Sequence, residues 1–349
     1  MTLSANGSTL SPPQARRRHF NGEFILHIAL IAALLMALVL AAVMAVISAY
    51  NCHPDEKVHF EAVKFYSANN WLPPAIGDPR TLDSYSAFGK SRLNLPDLYY
   101  LIAGKFTALL SLVTRNPLLS ARLFNVFLLA ILVFMAIRSA ASHKLLYGIL
   151  LVTPQIWYTF SYVNSDAFAL FLTMIITGQL VQSNSLFHQY LGSPSWRSQF
   201  YKSLPLIIAV TLLYFAKQNF YLYFIFLLLW GLWSLYAAKD RKRLLLKYAV
   251  MILVFLVLVL IKQGVDYSIY GPDKDEALKE IQELTAAEEY KPSVRYTGKG
   301  HPHLNLKEQG VHYLDLFKEP YNWHLGTFFT FAGAYDYMKI FSPAGYYKL

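Results

Sequence analysis

The stretch His53-Pro54-Asp55-Glu56-Lys57-Val58-His59 places two carboxylates, two imidazoles and an ammonium side by side, directly after a long apolar block. Pro54 ends the helix before it, and a new helix is expected to start at Asp55. On that helix Asp55 and His59 lie four residues apart and share a face. A carboxylate at the edge of an apolar region, partly stripped of water, is suited to take the proton of a hydroxyl as a general base. Asp55 is equally suited to cap the new helix, with Glu56 complementing its dipole. The two roles are compatible, and the local sequence does not choose between them.

A second set of such residues is Asn164-Ser165-Asp166, in a short turn between two apolar blocks. An acid held that close to an apolar layer is costly, and such acids are usually functional. Here too the plain alternative is a cap, because Asn, Ser and Asp are preferred at helix starts. Cations form the third set. Lys217 ends an apolar block, and Arg295, Lys299, His301 and His303 lie towards the C-terminus. An arginine fork or a lysine point charge there suits a phosphate, while a snorkelling or solvated side chain explains each one singly. His301-Pro302-His303 has no carboxylate at helical spacing and does not read as a metal site. With one cysteine, Cys52, neither an internal disulfide nor a cysteine-based metal site is available.

The elements that must position these residues are apolar helices. Of the 349 residues 55% are hydrophobic and only 15% charged, against roughly 25% charged in ordinary soluble domains. Lipid is the solvent such a chain implies. The pattern predicts an all-α, polytopic bundle of about seven spans: Phe24–Tyr50, Leu118–Ile137, Leu145–Phe160, Ala167–Val181, Leu204–Phe215, Phe220–Ala237 and Tyr248–Ile261. The first is too long for a signal-peptide core and reads as an uncleaved anchor. Leu98–Val113 is apolar around Lys105, and is either a span or an interfacial helix. Charge decides. With that block at the interface, the whole formal charge of +10 falls on one face, carried by Arg16–Arg18 and the Lys239–Arg243 run among others. That face is then cytoplasmic, and the basic run is a topology signal, not a nucleic-acid patch. The expected division is a cytoplasmic N-terminal tail 1–23, a transmembrane domain 24–262 with a helical outer loop 51–117, and an extracytoplasmic, membrane-associated segment 263–349. The N-terminus lies inside a cell membrane and the C-terminus outside, and both acidic sets reach the same outer face.

Several short motifs occur in a familiar order. Pro54-Asp55-Glu56 and His59-Phe60 open the outer loop. Pro96-Asp97-Leu98-Tyr99-Tyr100 is similar to the Pro-x-x-Tyr-Tyr before the second span of polyprenyl-dependent membrane glycosyltransferases. Thr153-Pro154, Tyr158 and Asn164-Ser165-Asp166-Ala167 resemble the Ser-Pro, Tyr-Tyr and Thr-Asp-Ala of the same enzymes. Gly326-Thr327-Phe328-Phe329-Thr330-Phe331-Ala332-Gly333 is similar to an aromatic Gly-Thr-Phe-Gly segment. Together they resemble the GT-C superfamily, and most of all the bacterial membrane proteins of domain-of-unknown-function family 2142, from about Ile25 onward. The resemblance implies a polyprenyl-phosphate sugar donor and a glycan or lipid acceptor on the outer face. It implies a reaction-centre acid at Asp55 or Glu56, and a second acid, Asp166, that assists or holds a divalent cation. Lys217 is the nearest match to the cations that bind the lipid phosphate. Such proteins continue with further spans, so a chain ending at Leu349 is expected to be C-terminally shortened.

The function expected is therefore glycosyl transfer. Asp55, Glu56 and Asp166 are the candidate catalytic groups, and His59, Asn164, Lys217 and Arg295 the candidate substrate-binding groups. The residues specify neither metal nor cofactor. Two rivals stand beside this reading: a transporter or flippase of lipid-linked sugars, which calls for charged or broken helices at mid-membrane depth, and a non-catalytic membrane partner.

Overall fold

The computed structural model describes residues 13–139, 148, 151–294, 306–307, 309–335 and 340–341. Their regular structure is almost entirely helical. The helices are α1 (Pro13–Ile47), α2 (Glu56–Ser67), α3 (Tyr99–Leu110), α4 (Pro117–Arg138), α5 (Pro154–Thr159), α6 (Ser165–Val181), α7 (Leu186–Gly192), α8 (Leu204–Ala216), α9 (Tyr221–Ala237), α10 (Arg241–Tyr270), α11 (Lys274–Thr285) and α12 (Trp323–Gly333). A two-residue antiparallel pair, Ala334–Tyr335 with Ile340–Phe341, follows α12.

Five helical stretches are long and apolar enough to cross a membrane: Phe24–Ile47, Pro117–Arg138, Ser165–Gly192, Gln218–Ala237 and Arg241–Tyr270. Two of the seven expected spans are not among them. Leu145–Phe160 lies partly outside the described residues, which show it helical up to Val152, bent at Thr153 and continued by the short α5. Leu204–Phe215 is present as α8, whose 13 residues reach only about 20 Å at 1.5 Å per residue. Pro205 stands at its first turn, and the chain turns extended at Lys217. The Leu98–Val113 block becomes α3, 12 residues long and also shorter than the ~30 Å hydrocarbon layer.

α10 differs from expectation in the other direction. It runs through the expected boundary at 262–263 and ends at Gly271, whose φ of +69° stops it. The reason is local: Lys262 and Asp266 pair across one turn, Nζ to Oδ1 at 2.5 Å, so polar residues that looked like a span edge continue the helix. α9 bears no buried side chain, and its exposed Leu222, Leu228 and Trp233 are apolar. A surface of that kind is covered favourably by lipid and unfavourably by water.

α4 is the centre of the packing, with α1, α3 and α6 against it. α1 buries Leu34, Ala37, Ala41 and Ala45, a helical stripe of mostly small residues of the kind that lets helix backbones come close. Tyr99, Phe124 and Phe168 then bring α3, α4 and α6 together, with ring centroids 5.8 and 5.9 Å from Tyr99. α2 and α3 pack closer still. A Cβ on Gly104 would lie 2.5 Å from the Cβ of Tyr66 and 2.9 Å from the Val63 carbonyl, so only glycine fits there.

Two buried cations fasten helix ends. Arg122 of α4 forms a two-pronged pair with Glu56, both contacts 2.7 Å, and also donates to the carbonyls of Ala45, Ser48 and Ala49. It thereby satisfies the open carbonyls at the end of α1 and fixes the start of α2. Lys247 of α10 donates to the Tyr190, Leu191 and Ser193 carbonyls at the end of α7. α11 lies on the loop between α2 and α3. Ile281 faces Gly77, and Gln282 donates to the Phe88 carbonyl at 3.0 Å. α12 packs on α5.

Candidate functional site

Asp55 is the residue before α2, and it does not cap that helix. Its backbone is left-handed, φ 55°, and its carboxylate accepts no cap hydrogen bond. A left-handed non-glycine residue costs on the order of 1 kcal/mol and is a recurrent feature of functional sites. The carboxylate instead meets Arg92 at 3.2 Å, with both side chains partly exposed. Arg92 comes from a 3-10 turn, Arg92–Asn94, in the loop before α3.

Glu56, the next residue, is fully buried. Arg122 takes both of its oxygens, and the Asn51 amide adds a third bond at 3.2 Å. This carboxylate has no room for a reacting proton while the pair is intact. Its geometry gives it the joining of α1, α2 and α4.

His59 shares α2 with these acids but points into the protein. It is buried, with Nδ1 2.8 Å from the Tyr100 hydroxyl. Burial, and after it the positive charges of Arg92 and Lys217, push its pKa well below the usual imidazole value. The ring is neutral at pH 7.

The same Tyr100 also senses a further acid, Asp97. Asp97 is buried, and one of its oxygens accepts the Tyr99 amide at 2.8 Å. Burial raises its pKa to about 7, against the opposing pull of Tyr99, Ser165, Lys217 and Arg92. The only signal in the sequence was an acid at the threshold of an apolar block, and that signal does not say which way the side chain turns.

The second acidic set resolves into separate roles. Asn164 is buried and caps α6, accepting the Ala167 amide at 2.9 Å and donating to the Thr159 carbonyl at 2.7 Å. Asn125 of α4 binds the same turn through the carbonyls of Tyr162 and Asn164. The cap is therefore Asn164, and Asp166 is left to face outward. Asp166 pairs with Lys217 at 2.9 Å, again with both groups partly exposed.

Asp55, Asp166, Lys217 and His59 are thus brought into one neighbourhood, together with Arg92 and Asp97. Lys217 and Arg92 act on both His59 and Asp97. The buried Tyr162 hydroxyl, its pKa raised chiefly by burial, also senses both Asp166 and Asp55. Tyr162 stacks on His53 at 4.6 Å, and His53 Nδ1 lies 2.9 Å from the Tyr158 hydroxyl. Arg295, Lys299, His301 and His303 lie outside the described residues. Among the described residues no group of three or more His, Cys, Asp or Glu side chains is arranged to hold a metal ion. The chain matches no protein-family model, no curated protein and no solved structure in the comparisons made with them.

Proposed function

We propose that this chain is a membrane glycosyltransferase of GT-C type, similar in kind to family 2142, that moves a sugar from a polyprenyl-phosphate donor to an envelope glycan or lipid acceptor on the non-cytoplasmic face. The single observation that carries the proposal is the pair of half-exposed acid–cation contacts, Asp55–Arg92 and Asp166–Lys217, flanking the buried Asp97. The supporting topology is the one the charge pattern favours, with the seven expected spans in the membrane and α2 and α3 at its outer surface.

In this reaction the acceptor hydroxyl oxygen attacks the anomeric carbon while the bond from that carbon to the phosphate oxygen breaks. Asp55 takes the hydroxyl proton. Polyprenyl phosphate departs with the bonding electrons, and its charge passes to Arg92 and Lys217, which exchange a carboxylate partner for a phosphate one. Such a site contributes positioning and charge stabilisation rather than covalent chemistry. Asp97, poised near neutrality between the two cations, trims the positive field that would otherwise hold the product phosphate. Glu56 takes no part in the chemistry.

The test is transfer by the full chain in lipid vesicles supplied with a labelled polyprenyl-phosphate sugar, scored beside complementation of a deletion strain by envelope glycan profile. Wild type is expected to release polyprenyl phosphate, and Asp55→Asn to slow release by about 10²–10⁴-fold, the usual contribution of a general base. Because Asp55 makes no cap bond, loss of activity in this variant cannot be assigned to loss of a cap. Undiminished transfer by Asp55→Asn would sink the mechanism.

A further inference from the structure

An open cleft of about 350 Å³ lies between the loop before α3, the α8–α9 junction and the last turns of α10. That volume is at the lower end of the range for small-molecule sites. One wall is aromatic. The rings of Tyr214 and Tyr221 are nearly parallel, 9° apart with centroids at 5.8 Å, and the Tyr221 hydroxyl donates to the Tyr214 carbonyl at 3.2 Å. Tyr267 adds a third ring, and both it and Tyr221 remain largely open to the outside. The polar part of the lining is formed by Gln263, Asp266 and Lys274. Lys262 holds Asp266 in place, 2.5 and 2.6 Å from its two oxygens. A carboxylate offers about four acceptor positions, so Asp266 keeps some for a further donor.

The chemistry of these walls narrows the occupant. A flat aromatic face suits the C–H face of a sugar ring, while an amide, a carboxylate and an ammonium at the rim suit its hydroxyls. An acyl chain would use the aromatic wall and strand the polar one, which is costly. A phosphate would confront the Asp266 carboxylate. Position adds to this: Pro96 of the cleft adjoins Asp97, and Phe215 is two residues from Lys217. We propose that the cleft is a saccharide subsite, seating a sugar of the acceptor beside the Asp55, Asp97 and Lys217 cluster. Its assignment to the acceptor rests on the transfer reaction proposed above; its affinity for a saccharide does not.

The experiment is saturation-transfer-difference NMR on the full chain in lipid nanodiscs. The probes are a panel of disaccharides covering hexoses, deoxyhexoses, N-acetylhexosamines and uronic acids, with farnesyl phosphate as the lipid-phosphate control. Wild type is expected to transfer saturation to the ring C–H protons of at least one disaccharide. Tyr221→Ala and Gln263→Ala, one aromatic and one polar lining residue, should each weaken that binding tenfold or more. Tyr221 and Gln263 are not buried, and the unchanged melting temperature expected of both variants separates lost binding from lost folding. No signal from any disaccharide overturns the proposal, as does a signal that both variants retain. Farnesyl phosphate binding lost in both variants, with no saccharide signal, makes the cleft a lipid-phosphate site instead. A wild type that binds a disaccharide in a Tyr221-dependent way yet transfers no sugar keeps the subsite and removes the transfer reaction.

Discussion

Asp55 and Glu56 are neighbours in the chain, each paired with an arginine, and the two pairs sit in opposite surroundings. The Glu56–Arg122 side chains are 0% and 2% exposed, while those of Asp55 and Arg92 are 49% and 26% exposed. In the first pair every strong contact is used: two carboxylate–guanidinium bonds, the Asn51 amide, and three carbonyls at the end of α1. In the second a single 3.2 Å contact joins two groups that water still reaches. A pair of the first kind cannot exchange partners without a charge being left in the interior. A pair of the second kind exchanges at little cost, and exchange is what a site needs if a substrate is to replace one partner. Asp166–Lys217 belongs with the second kind.

The largest effect is expected from breaking the sealed pair. Arg122→Ala leaves the buried Glu56 carboxylate uncompensated and reopens the end of α1, and losing one partner of such a pair costs about 3–5 kcal/mol. Thermal unfolding of the purified chain in detergent should show a large drop in Tm, or no folded protein at all. A variant within a degree or two of wild type would mean that the pair adds nothing to the joining of α1, α2 and α4. Asp55→Asn comes next and should invert the pattern. Transfer falls by the 10²–10⁴-fold of a lost general base, yet stability holds, because an exposed pair contributes about 0–1 kcal/mol and asparagine tolerates a left-handed backbone well. A parallel loss of folding and activity in this variant would erase the distinction between the pairs.

Much of this frame is legible in the amino-acid order, and the illegible parts share a cause. Long apolar blocks announce α1, α4, α6, α9 and α10, because length and composition are what any window of sequence reveals. The helix begins where Pro54-Asp55 says it should, and Asn164 caps α6 as its residue type suggests. The α10 end is misplaced because Lys262 and Asp266 read as two charges when they are one neutral pair. The division of labour between Asp55 and Glu56 is hidden for a deeper reason. It depends on Arg92 and Arg122, 37 and 66 residues away, and nothing local to either acid shows which arginine it will meet. Asp97 is hidden likewise, since Ser165 and Lys217, which act on it, lie far along the chain.

Asp97 sharpens the comparison through pH. Its pKa is raised to about 7 by burial, against roughly 3.9 in an unfolded chain. The folded state therefore favours the protonated form. The resulting stability is fully present below the unfolded value and is lost as the pH climbs from about 4 through 7. Asp97→Asn keeps an oxygen to accept the Tyr99 amide and removes the titration. Its Tm should come closest to wild type below about pH 4 and exceed it increasingly up to about pH 7, in a series of melts at constant ionic strength. Parallel curves would mean that Asp97 is solvated and ionised throughout.

The smallest stability effect is expected at Lys217, and it isolates what a half-exposed pair is for. Lys217→Gln removes the partner of Asp166 and keeps a donor of nearly the same length. Because both groups are partly exposed, the loss to folding should stay within about 1 kcal/mol. The charge, however, is one of the two that reach Asp97 and His59. Removing it should push the Asp97 pKa higher still, and should leave Arg92 as the one remaining cation of the cluster for the departing phosphate. If Lys217 holds the phosphate equally in donor and transition state, KM for the donor rises severalfold with kcat unchanged; if it acts on the leaving group, kcat falls instead. Either result makes the half-exposed pair a substrate contact. Unchanged kcat and KM with a small fall in Tm would make Asp166–Lys217 a surface fastening like many others, and would leave Asp55–Arg92 as the sole exchangeable pair on which the proposed chemistry rests.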